Sequence, residues 1–218
     1  MIVLDIETSG LTSRNGIWQI GALELEHPEN SFLQECRIDD KDEVTTAALK
    51  ICGKSEAELR DTKKQSQRDL VAKYLNWVDG IKQRIILGEN IGWDCSMIQD
   101  KSIKYGLENL FHNVHGHRTL DLHTIAQEKW REIHGEYLLD KDGRDALGLQ
   151  RTLEFVGIPD IRRHVGEDGR VKQEGTAHNA LEDCRLEAEV YWRLKHGEKY
   201  LLEYHQFKVP RELMGVKK

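Results

Sequence analysis

The chain has 218 residues, enough for one domain to bury a core without staples. Its 32 basic against 38 acidic residues leave a formal net charge of −6, which argues against a non-specific nucleic-acid coat protein, since such proteins carry a basic excess. No apolar run approaches the ~20 residues a membrane span needs, and Met1 leads straight into Ile2-Val3-Leu4 with no basic leader, so no signal peptide and a cytoplasmic location are expected. Cys36, Cys52, Cys95 and Cys184 are scattered without a C-x-x-C pair and read as reduced core residues.

In chain order, Ile2, Leu4 and Ile6 alternate with Val3, Asp5 and Glu7, which predicts a first strand. Ser9-Gly10 marks a turn, and residues 16–25 and 31–38 complete an antiparallel meander. Residues 55–78 have helical spacing, as one helix or two. Arg84-Ile85-Ile86-Leu87-Gly88 is a compact apolar run and a buried strand, followed by a helix over 93–105. A short strand ending at Asp121 precedes a helix through Trp130. This alternation points to an α/β sheet with a parallel portion. Residues 131–146 are polar; Asp140 to Arg144 superficially suggests a calcium loop, but the bidentate Glu at loop position 12 is missing and Gly143 is misplaced. A short helix covers 147–156, and 162–175 reads as a loop with a tight turn at 167–170. The last helix covers 177–195, with Leu181, Cys184, Ala188, Tyr191 and Leu194 as its apolar stripe. The tail after it has no clear pattern.

Asp5 and Glu7 are anomalous. Two carboxylates project from one face of an otherwise apolar strand, and burying them is costly unless a cation joins them. Hard oxygen donors suit Mg²⁺ or Mn²⁺; the alternative is a hydrated, exposed face. Asp183 lies on the polar flank of the last helix among Glu182, Glu187 and Glu189, where a solvated carboxylate is the ordinary reading. His178 stands near that helix start, as a general base beside an acidic site or as a surface or capping histidine. Asp94, after Asn90-Ile-Gly-Trp, reads by itself as a helix N-cap.

In this order the residues resemble the DEDD exonuclease superfamily. Asp5-Ile6-Glu7-Thr8 matches its first motif, Asn90-x-x-Trp93-Asp94 its second, and His178-Asn-Ala-Leu-Glu-Asp183 its third. The histidine five before the final Asp marks the histidine branch; the tyrosine branch would place Tyr where Asn179 stands. The resemblance spans residues 1–195, an exonuclease domain, and leaves 196–218 as a C-terminal extension packing on it. It implies an RNase H-like fold: a mixed central β-sheet flanked by α-helices. It implies a 3′–5′ exonuclease with two divalent cations, Mg²⁺ or Mn²⁺, held by Asp5, Glu7, Asp94 and Asp183, with His178 taking the proton from the attacking water. Thr8, Leu11 and Asn90 are the implied substrate-binding residues. The implied substrate is a single-stranded 3′ end of DNA or RNA, no membrane is involved, and the chain acts alone, as a homodimer, or within a replication or repair assembly. Where the second motif usually begins with His, this chain has Glu89.

Several readings stay open. Leu11 either meets a terminal base or caps the core, and Trp18 is a core residue or a base-stacking platform. Asp121 reads as a helix cap. Arg162, Arg163, Lys195 and Lys199 either track a nucleic-acid backbone or are scattered surface charge. Rival functions are an RNase H-like endonuclease and a non-catalytic nucleic-acid-binding or scaffold domain. Loss of acids would be expected in the scaffold, and all four are present.

Overall fold

The computed structural model describes residues 1–116, 118–166 and 170–214. A five-stranded mixed sheet forms its centre, in the order β3-β2-β1-β4-β5. β1 (Ile2–Thr8), β2 (Ile17–Glu24) and β3 (His27–Glu35) are the antiparallel meander. β4 (Ile86–Gly88) and β5 (Thr119–Asp121) add in parallel on the other side of β1. Because side chains alternate across a strand, Ile2, Leu4 and Ile6 enter one core with α3 (Gln67–Asp79), α4 (Gly92–Lys104) and α5 (Glu108–Val114). Val3 enters the opposite core with α6 (Leu122–His134), α7 (Leu149–Phe155) and α8 (Ala180–His196). Asp5 and Glu7 share the Val3 side, so they face a covered layer rather than open water.

Several local differences from the pattern reading have physical causes. The helical stretch 55–78 takes the two-helix form of the alternatives expected, α2 (Glu56–Leu59) and α3, each started by a serine whose side chain accepts a backbone N–H. α1 (Thr46–Cys52) and α5 carried no periodicity strong enough to predict, being only two turns each. The 162–175 loop contains a small hairpin, β6 (His164–Val165) with β7 (Val171–Gln173); the tight turn expected at 167–170 falls mostly outside the described residues. The tail is tied down by a buried ion pair. Arg193 bonds Glu189 at 2.7 Å with both side chains fully buried, and the Arg193 guanidinium donates to the carbonyls of Val156, Tyr204, Phe207 and Lys208. Glu189 accepts from the N–H groups of Tyr200 and Leu201, and Leu201, Val209 and Leu213 join the core. Among the described residues, no helix is long and apolar enough to cross a membrane. Cys36, Cys52 and Cys184 are buried, Cys95 is half-buried, and all are free thiols.

Candidate active site

The site forms where β1 runs past the carboxyl end of β4. β4 pairs with β1 only at Ile2 and Val3, which leaves the later edge of β1 unladdered. The Ile6 N–H there is satisfied by the Asp94 carboxylate, Oδ1 accepting at 3.2 Å. Asp94 therefore does not cap its own helix; Ile91 holds the α4 N-cap position without a side-chain bond. Gly88 closes β4, where a Cβ would come 2.7 Å from the Leu4 carbonyl oxygen.

Gly21 brings the last helix in. It is paired with Asp5 across β1 and β2, and a Cβ on it would meet the Ala180 carbonyl carbon at 2.3 Å and the Leu181 nitrogen at 2.4 Å. Only a bare backbone lets the first turn of α8 lie on the sheet beside Asp5. Gln19 fixes the contact by accepting the Ala180 N–H at 2.8 Å, Asn179 caps the helix, and the Cys184 thiol donates to the Gly21 carbonyl. Asp183, in that first turn, is buried against β1.

A folded-back arm supplies the remaining groups. Thr176 exchanges backbone hydrogen bonds with Ile161 and Arg163 (3.0 and 2.8 Å), setting Arg162 and His178 side by side. The His178 Nε2 lies 3.0 Å from the Arg163 carbonyl oxygen. A carbonyl only accepts, so Nε2 carries the hydrogen and Nδ1 keeps its lone pair, 3.9 Å from Asp183 Oδ2. Burial favours the neutral ring and holds His178 below its ordinary pKa, while the negative charge of Asp183 pulls the other way.

The carboxylates crowd one another. Burial, then Asp183, Glu7 and Asp94, push Asp5 well above the usual carboxylate range. Burial, then Asp183 and Asp94, raise Glu7 to about 8, against the pull of Arg162. Burial raises Asp94 to about 8. One turn beyond Asp183, Glu187 is buried with Oε2 unpartnered, and burial followed by Asp94, Glu89 and Asp183 raises its pKa too. Such a set calls for positive charge. Glu7, His178 and Asp183 each offer one ligand atom, and these atoms lie within 4.8 Å of one another. Clustered carboxylate oxygens suit a hard divalent cation, with the His178 lone pair facing them, so the residues fit that group.

Sequence reasoning missed two members. Glu187 reads as a solvated helix face, yet it is 2% exposed; its i+4 spacing from Asp183 was the available signal. Arg162, read as a backbone tracker or scattered surface charge, points inward and bonds Asp183 at 3.0 Å. The other singled-out residues separate clearly. Leu11 is 82% exposed and caps no core. Thr8 bonds the Gly10 carbonyl, and Asn90 is exposed with φ 51, a left-handed conformation asparagine tolerates. Trp18 is buried with Ile38, Cys52 and Leu59 and presents no platform. Asp121 caps α6 through Thr124. Glu89 is half-buried with Oε2 unpartnered; burial lifts it to about 7, with His123 pulling the other way.

Residues 2–191 match the model of the family described as Exonuclease (RNase T). No curated protein sequence matches the chain. Among solved structures, E. coli Exonuclease I in complex with a dA16 oligonucleotide aligns at a TM-score of 0.63 and 17% identity, over 88% of this chain and 39% of that one. The complex of the same protein with a dT13 oligonucleotide gives 0.60 and 17%, over 88% and 40%. A moderately thermophilic Exonuclease I from Methylocaldum szegediense gives 0.63 and 15%, over 90% and 41%. At these identities the likeness is one of fold, and the chain spans about two-fifths of those structures.

Proposed function

The chain belongs to the exonuclease family, and from that footing we propose that it is a 3′–5′ exonuclease of the histidine branch, releasing nucleoside 5′-monophosphates from single-stranded nucleic acid. The observation that carries this reading is the convergence of the Glu7, His178 and Asp183 donor atoms within 4.8 Å, with Asp5 and Asp94 crowding the same carboxylates. Asp5, Glu7, Asp94 and Asp183 would hold two divalent cations, Mg²⁺ or Mn²⁺. Bound there, the cations would lower the pKa of a water and stabilise charge on the entering and leaving oxygens.

The chain's own groups do the rest. His178, kept neutral by burial and held through Nε2, offers the Nδ1 lone pair as acceptor for the water proton. Asp94 holds its carboxylate still through the Ile6 N–H. Leu11, exposed and apolar beyond the end of β1, would pack on the terminal base, with Thr8 and Asn90 as the further substrate-binding residues. Burial of Leu201, Val209 and Leu213 supports reading 196–218 as an extension packed on a 1–195 exonuclease domain, its last four residues lying outside those described. That Exonuclease I was solved with dT13 and dA16 makes single-stranded DNA the first substrate to try, with RNA beside it.

The test is digestion of 3′- and 5′-labelled oligonucleotides with Mg²⁺ or Mn²⁺, set against Asp5→Ala and Asp183→Ala. Stepwise mononucleotide release from the 3′ end, lost in both folded variants, is the expected result. Internal cuts would indicate an endonuclease, binding without cleavage a scaffold, and turnover by either variant would sink the assignment.

A further inference from the structure

Arg162 is held in the carboxylate cluster by a built socket. Its Nε and Nη2 donate to the two oxygens of Asp160 at 3.0 and 2.8 Å, and its backbone N–H donates to the same carboxylate at 3.0 Å. The remaining amino group, Nη1, donates to Asp183 Oδ1 at 3.0 Å. Side-chain exposure is 12% for Arg162, 3% for Asp160 and 5% for Asp183. His164 Nε2 lies 3.1 Å from Asp160 Oδ2, and the Gln173 amide donates to the carbonyls of Asp160 and Arg162. A planar fork gripped on two sides cannot swing away as a lysine would. A full positive charge is thus anchored against a carboxylate whose other oxygen, Oδ2, faces His178.

We propose that Arg162 is a resident counter-cation of this site, anchored by Asp160, which sets divalent-cation affinity by competing for the negative charge of Asp183. The proposal rests on the reading that the carboxylate cluster binds such a cation. Arg162 supplies part of the countercharge while no cation is bound, and repels the cation when one enters. Asp160 moderates this by neutralising the guanidinium. Removing the arginine therefore strengthens cation binding, whereas removing the charge of Asp160 weakens it.

The experiment is Mn²⁺ titration by calorimetry on the full, EDTA-treated chain as wild type, Arg162→Met and Asp160→Asn. Arg162→Met is expected to bind Mn²⁺ about tenfold tighter while its cation-free form melts lower. Asp160→Asn is expected to bind several-fold more weakly. A merely structural role would lower both melting temperatures without moving the affinities in opposite directions. Unchanged affinities, or weaker binding by Arg162→Met, would overturn the proposal, and weaker binding would instead make Arg162 a group that orients Asp183 for the cation. If Arg162→Met does not fold, Asp160→Asn decides alone, and unchanged or tighter binding there overturns the idea. Failure of the wild type to bind Mn²⁺ would sink the metal reading itself.

Discussion

At the scale of single residues, Asp94 has two separable duties. Its carboxylate accepts the Ile6 N–H at a point where β4, which pairs at Ile2 and Val3, no longer ladders with β1, and under the proposed function it also helps hold a cation. Asparagine can keep the first duty through its side-chain carbonyl and lose the second; alanine loses both. Asp94→Asn is therefore expected to lose hydrolysis with little loss of stability. Asp94→Ala should lose hydrolysis and also about 1–3 kcal/mol of stability, the cost of a buried unsatisfied N–H. Chemical denaturation compares the two, and equal stabilities would show that the Ile6 contact contributes nothing. Glu187 and Arg162 belong to the same neighbourhood, although each looks like an ordinary surface charge when read alone. Their burial follows from helix and arm placement rather than from residue type.

At the scale of elements, the decisive contact is the crossing of α8 on β2. Gly21 permits it, Gln19 and Asn179 fix it, and Asp183 is delivered one turn later. A methyl at Gly21 would press against the α8 backbone, which cannot yield as a flexible side chain does. Gly21→Ala is expected to cost on the order of 1–3 kcal/mol and to weaken Mn²⁺ binding by displacing Asp183 from Asp5 and Glu7. Gly92→Ala, with nothing within 4 Å of its added Cβ, is the control and should be neutral or slightly stabilising. Melting temperatures with Mn²⁺ titrations decide it; indistinguishable variants would mean that α8 is not seated by this glycine.

At the scale of the molecule, the cluster ties stability to pH. Glu7 and Asp94 sit at about 8 and Glu89 at about 7, against an unfolded carboxylate value of ~4. Between those limits the folded chain holds more protons than the unfolded one, so these groups stabilise fully below the unfolded value and that stability is lost as pH rises through the folded values. The Tm of the EDTA-treated protein should therefore fall from about pH 5 to about pH 8. Mn²⁺ should flatten the fall, because ligation replaces the proton as countercharge, and its binding at neutral pH should release protons. A differential scanning series with and without Mn²⁺ checks this; a flat or rising Tm in EDTA would contradict the crowding inferred for the site.

The sequence by itself determined the strand alternation of β1, the apolar stripe of α8, and motif spacings that singled out Asp5, Glu7, Asp94, His178 and Asp183. These are local signals: period two, period 3.6, and residue type at fixed intervals. Only the tertiary structure decided that Asp5 and Glu7 lie under a helix rather than in water, that Glu187 and Glu189 are buried, and that Arg162 turns inward. It also decided that the tail is locked by Arg193 and Glu189. Charged residues have no periodic signature that separates a solvated face from a paired one, because the difference lies in what other segments bring against them. Gly21 shows the same limit: a glycine in a strand is legible, but the helix backbone that requires it arrives from 159 residues further along the chain, as far as Ala180 is from Gly21 (180 − 21).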